Sequence, residues 1–118
     1  MLTTSREKKI YLAKHRVDFR KQHQGLLAEA YKINLNPFLG DVIIFIGKNR
    51  RKIKVLYADI NGLWLSTKLF TSDSMKTKIN FLTDPSCDEI SHGELAMLID
   101  GSRYTIEKKV TAYHQQLF

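Results

Sequence analysis

Five cations occupy seven positions of one short stretch: Lys48, Arg50, Arg51, Lys52 and Lys54. The chemistry open to them is anion binding. On an extended chain Lys52 and Lys54 project to one side about 6.6 Å apart, close enough to hold neighbouring phosphate oxygens. Five phosphate contacts on duplex DNA would give a log–log salt slope of about −4.5. The same residues also suit a solvated turn, because basic side chains keep edge strands from pairing with other chains. A second group, Arg16, Arg20 and Lys21, brackets the start of an expected helix. Cations there oppose the helix dipole. They point either to an anion held with the helix-terminal N–H groups or to neutralisation by Asp18 or another surface acid.

Catalytic chemistry has weaker material. Asp18, Asp41 and Asp59 could bind divalent cations in a nuclease, but two-metal chemistry needs carboxylates that converge. Each has a structural use where it stands: Asp18 before a helix, Asp41 before a strand, Asp59 at a turn. Cys87 and His92 could form a nucleophile and base, yet nothing nearby activates the thiol. GKNRRK lacks the glycines and the Lys-Ser/Thr ending of a phosphate-cradling loop. His15, His23, His92 and His114 are scattered, and none pairs with Cys87 at a zinc-ligand spacing. The expectation is a protein that is not an enzyme, with no cofactor and no metal.

The net charge of +7 is unevenly placed. Residues 1–60 carry 13 Lys and Arg against 5 Asp and Glu, while residues 61–118 carry 6 against 7. Asp84, Asp88, Glu89, Glu94 and Asp100 form an acidic stretch without a cation between them. A basic face attracts nucleic acid, anionic lipid or an acidic partner. The lone Cys87 predicts a reducing compartment. The longest apolar run is Val42–Ile46, far short of a membrane span. No signal-peptide pattern opens the chain. A soluble, cytoplasmic protein without membrane attachment is expected.

These residues need elements to position them. Lys9–Ala13 reads as a short strand. Asp18 reads as the N-cap of a helix running from Phe19 to about Ile33, with Leu26, Leu27, Ala30 and Tyr31 as its apolar stripe. Gly25 inside it costs about 1 kcal/mol relative to Ala, which a close approach would explain. Asn34–Gly40 breaks the helix at Pro37. Val42–Ile46 predicts a strand buried on both faces. After the basic turn, a second strand turns Ile53, Val55 and Tyr57 inward. Asn61-Gly62 predicts a two-residue hairpin with positive φ at both positions. A third strand follows over Leu63–Phe70, with Trp64 expected beneath a helix, the alternative being exposure for stacking. Thr71–Lys78 reads as a loop and Asn80–Thr83 as a short strand. Ser91 and Glu94 form a capping box for a helix with Leu95, Leu98 and Ile99 on its apolar face, stopped by Gly101. Ile106, Val110, Tyr113 and Leu117 fall at helical spacing.

The predicted fold is α+β: an antiparallel β-meander with a helix before it and a helix after it. Residues 1–101 form a single domain, and residues 102–118 form a C-terminal tail containing an amphipathic helix.

Several of these motifs, taken in order, resemble one family. They are Asp18-Phe19-Arg20-Lys21, Gly25-Leu26, Asn36-Pro37-Phe38 with Gly40, and Val42–Ile46. Then come Ile53-Lys54-Val55-Leu56-Tyr57, Asp59, Asn61-Gly62, Lys68 and the helix Glu94–Gly101. The family is the TnpB-type accessory proteins of insertion sequences of the "sixty-six" class, which are distinct from the RNA-guided nuclease sharing the TnpB label. The resemblance spans residues 8–101 and is most specific over residues 36–68. Phe70–Leu82 departs from it, lacking the usual basic and aromatic segment with Trp-Pro. The resemblance implies an accessory role in transposition without catalysis of its own, beside a separate transposase that carries the strand chemistry. It assigns no DNA-contacting residue.

From the residues themselves, the expected DNA-binding set is Arg20, Lys21, Lys48, Arg50, Arg51, Lys52 and Lys54. The expected partners are DNA and a separate transposase; oligomeric state is left open. The competing reading is a protein–protein adaptor with no nucleic-acid contact, using the acidic helix around Glu94 and a tail bearing Ile106, Val110 and Tyr113.

Overall fold

Residues 8–14, 17–18, 20–47, 51–71, 78–81, 87–100 and 105–108 are described in the computed structural model. Strand β1 (Lys9–Ala13) leads to helix α1 (His23–Lys32) and a 3-10 turn at Pro37–Leu39. Strands β2 (Asp41–Ile46), β3 (Lys52–Ala58), β4 (Leu63–Leu69), β5 (Lys78–Phe81) and β6 (Cys87–Ile90) follow, then helix α2 (His92–Asp100) and strand β7 (Thr105–Lys108). Five strands form one sheet in the order β4-β3-β2-β1-β6, and β5 pairs with β7 separately and in parallel. The run β2–β3–β4 is the antiparallel meander. β1 joins β2 in parallel, as the intervening helix allows, and β6 adds to β1 antiparallel. The architecture is α+β, with one helix before the meander and one after.

Both faces of the sheet are covered, which explains the unbroken apolar run of β2. Ile43, Ile44 and Phe45 are each 0% exposed. Ile43 and Phe45 pack on the α1 face with Leu26, Ala30 and Leu56. Ile44 packs on the other face with Leu12, Ile53 and Leu98 of α2. β3 therefore differs from expectation. Ile53 turns to one core, as the alternation predicts, but Leu56 is fully buried in the other, because two helices claim two faces.

α1 starts later than its sequence suggests. The Asp18 carboxylate accepts hydrogen bonds from the Arg20 backbone N–H and guanidinium, and the Lys21 N–H turns back to the Asp18 carbonyl. That local turn uses up the expected cap. Gln22 becomes the N-cap, with no side-chain cap bond. The far end closes cleanly: Asn34 adopts φ 62°, the Leu35 N–H reaches the Ala30 carbonyl, and the Asn34 N–H reaches Tyr31. This is a Schellman closure with Asn in the left-handed position.

The capping box of α2 is present as read. The Glu94 N–H donates to Ser91 Oγ at 3.1 Å, and the Ser91 N–H to Glu94 Oε1 at 2.8 Å. Gly101 lies outside the described residues. Ser91→Ala should cost about 1 kcal/mol, seen as a fall in Tm of about 4 °C by circular dichroism. An unchanged Tm would show that the box contributes nothing.

Three other expectations are corrected. The Asn61-Gly62 hairpin is a four-residue loop, Asp59–Gly62, between the paired ends Ala58 and Leu63. Asp59 Oδ1 accepts the Asn61 N–H and forms an Asx turn, so neither Asn61 nor Gly62 needs positive φ. The tail forms strand β7 at Thr105–Lys108, where β5 offers a pairing edge to the β-branched Thr105 and Ile106; Val110, Tyr113 and Leu117 lie outside the described residues. Trp64 is 53% exposed instead of packed beneath a helix. α2 lies toward the other end of β4, where the Lys68 ammonium donates to the Ile99 carbonyl.

Candidate nucleic-acid interface

The two basic segments meet through Lys54. Its side chain stands on the α1 face of β3 and is buried, and its ammonium donates to the Lys21 carbonyl at 3.3 Å. The chain entering α1 is thereby tied to the middle strand of the meander. Burial, and then the nearby charge of Lys52, push the Lys54 pKa below the ordinary lysine value. Lys54 is thus a tether between the two segments and does not present its charge outward as the strand spacing predicted. Lys52 and Arg51, by contrast, are exposed. Lys48 and Arg50 lie outside the described residues.

Two of the helix-start cations, Arg20 and Lys21, are matched by acids, while Arg16 lies outside the described residues. Arg20 forks onto Asp18, with Nε at 3.0 Å and Nη2 at 2.6 Å from Oδ2, while its guanidinium stays open to solvent. Hydrogen bonding to Asp18, and then its charge, raise the Arg20 pKa further. The Lys21 ammonium pairs with the buried Glu29, which also receives Lys32 at 3.3 Å.

This pairing accounts for Gly25. A Cβ at position 25 would stand 3.0 Å from Lys21 Cβ and 3.2 Å from its Cγ. The glycine leaves room for the Lys21 stem to pass along the helix to Glu29, one turn further on. The close approach expected from the sequence is made by this side chain.

The three candidate carboxylates each hold local structure. Asp18 is described above. Asp41 is buried and accepts the Asn36 N–H at 2.8 Å. Asp59 accepts the Trp64 indole N–H at 2.7 Å and the Asn61 N–H at 3.1 Å. Those bonds, the indole first, hold its carboxyl below the usual range. Burial and then the Asp88 charge push the Cys87 thiol up, away from an activated thiolate. Among the described residues no group of three or more His, Cys, Asp or Glu is placed to hold a metal ion. No described helix is long and apolar enough to cross a membrane.

Sequence reasoning missed the partner of Trp64 on this surface. Tyr57 and Trp64, directly opposed on β3 and β4, stack with ring centroids 6.2 Å apart and planes 9° apart. The signal available was register: a meander closed at Ala58 and Leu63 puts the next residues out, Tyr57 and Trp64, face to face. Two residues named for the adaptor reading also hold local structure. Glu94 is engaged in the capping box, and Ile106 belongs to a strand.

Comparison with known proteins follows this geometry. A family model described as "IS66 Orf2 like protein" matches residues 8–109. "Uncharacterized protein y4jC" of Sinorhizobium fredii (strain NBRC 101917 / NGR234) is 31% identical over 113 residues, covering 92% of each chain. No solved structure matches the chain.

Proposed function

The chain belongs to the IS66 Orf2-like family of insertion-sequence accessory proteins, and from that premise we propose that it assists DNA transposition by binding DNA, a separate transposase, or both, through its basic corner. The observation that carries this reading is the pair of exposed cations, Arg51 and Lys52, at the start of the strand that Lys54 ties to the chain entering α1. Arg51 and Lys52 are the exposed contact residues, and Lys48 and Arg50 adjoin them in sequence. Arg20 contributes when a phosphate displaces or shares Asp18, since its guanidinium is solvent-facing. Lys54 positions the corner, and Lys21 is committed to Glu29. The chemistry of strand cleavage and joining falls to the transposase.

Fluorescence anisotropy with a duplex of insertion-sequence end DNA, measured across a salt series, tests the proposal. The double variant Arg51→Ser with Lys52→Ser should flatten the log–log slope by about 1.8 units, two phosphates at about 0.9 each. Lys54→Met should leave the slope unchanged while the fold holds. A double variant that binds like the wild type would reduce the hairpin to a soluble turn.

A further inference from the structure

We infer that the outer edge of β4 is a self-pairing surface, taking a second copy of this chain in antiparallel register about Ser66. β4 is the terminal strand of the sheet, with no strand on its outer side among the described residues. Its seven residues, Leu63-Trp64-Leu65-Ser66-Thr67-Lys68-Leu69, are all exposed or half-buried. Trp64 and Leu69 are each 53% exposed. A long, apolar, unpaired edge is a template for another strand.

The order of the residues says which strand. With Ser66 opposite Ser66, Leu63 of each copy faces Leu69 of the other, Leu65 faces Thr67, and Trp64 faces Lys68. Each pairing occurs twice, as a closed two-fold contact requires. Directly opposed side chains on antiparallel strands stand about 5 Å apart, within contact range.

The Trp64–Lys68 pairing is complementary in charge. One face of the indole stacks on Tyr57 of β3, so its other face is turned to the free edge. The indole N–H is bonded to the Asp59 carboxylate. An incoming ammonium therefore meets a π face with an anion beside it. Lys68 already donates one hydrogen to the Ile99 carbonyl and stands 5.3 Å from the centroid of its own Phe70 ring, and an ammonium carries two more hydrogens. A lysine on an edge strand ordinarily keeps other strands away. Here it does so for any strand lacking an acceptor at the matching position, and this chain supplies its own.

Pairing of two seven-residue strands buries a surface at the small end of specific interfaces, below about 1,200 Å². The dimer should therefore depend on concentration. Sedimentation velocity on the full chain, over a concentration series, should show the 13.7 kDa species giving way to one of twice that mass. Ser66→Lys puts like charges opposite each other at the two-fold axis and should raise the dimer Kd by about tenfold or more. Circular dichroism should stay unchanged, because Ser66 is exposed and the hydrogen bond it shares with the Tyr57 hydroxyl, at 3.3 Å, is itself solvent-facing. In a Cys87→Ser background, Ser66→Cys should be cross-linked into a dimer by a short bis-maleimide. A single-chain mass at every concentration would overturn the inference. So would a dimer indifferent to Ser66→Lys, or a Ser66→Cys variant that resists cross-linking.

Discussion

Phe45→Ala should lower the unfolding free energy by about 3–5 kcal/mol, and Leu98→Ala by about 2–5 kcal/mol. Both side chains are 0% exposed, but they belong to different cores. Phe45 fills the space between the sheet and α1, whereas Leu98 seals α2 onto the opposite face. Each substitution removes apolar surface and leaves a cavity that its close-packed neighbours cannot fully close. Because the two residues share no cluster, their effects should add, as distant sites do. The sum is comparable with the whole stability of a domain this size, about 5–15 kcal/mol, so the double variant should fail to fold. Urea titrations of the two single variants check this. A cost below about 1 kcal/mol for Leu98→Ala would mean that α2 is not seated on the sheet.

Much of this architecture can be read along the chain wherever one residue pattern answers to one local force. The VIIFI run demands two covered faces, and the structure provides them with α1 and α2. The Ser91–Glu94 spacing specifies a reciprocal cap and forms it. The misreadings occur where a side chain has two possible partners. Asp18 suits an N-cap on type and position, but Arg20 two residues on offers it a forked cation. Asp59 draws the turn into an Asx geometry and removes the need for the positive φ that Asn61-Gly62 advertises. Strand β6, with the sequence Cys-Asp-Glu-Ile, carries no β-branched or alternating signal beyond Ile90; it is a strand because β1 leaves an open edge beside it. The same logic explains Thr105–Lys108, which pair with β5 as a strand.

The candidate site was legible as charge but not as geometry. Counting cations locates both basic segments. It cannot tell that Lys54 points under α1 while Lys52, on the same face of the same strand, stays in solvent. Alternation assigns faces but not how far along a face a helix extends. Nor can it tell that the glycine at 25 serves the lysine at 21, since that relation exists only once the helix has wound and Glu29 stands beyond it.

The acids in this corner make a prediction of opposite sign to the loss of cations. Asp18→Asn and Glu29→Gln should strengthen DNA binding. Each keeps the size of the side chain and removes one negative charge that now engages a cation. Arg20 is then free to release a condensed counterion from DNA, and Lys21 likewise, so the log–log salt slope should steepen by about 0.9 for each variant and about 1.8 for both. The two should differ in what they do to the fold. Asp18 pairs with a solvent-facing guanidinium, so its loss should move stability by less than about 1 kcal/mol. Glu29 is buried and receives both Lys21 and Lys32, so its loss should cost more, about 1–3 kcal/mol. Salt series and urea melts on the same preparations separate the two effects. If the basic corner binds phosphate, the variant that damages stability most also gains affinity, an outcome that general loosening of the fold does not produce. If neither substitution steepens the slope, Arg20 and Lys21 take no part in binding, and the interface shrinks to the hairpin alone.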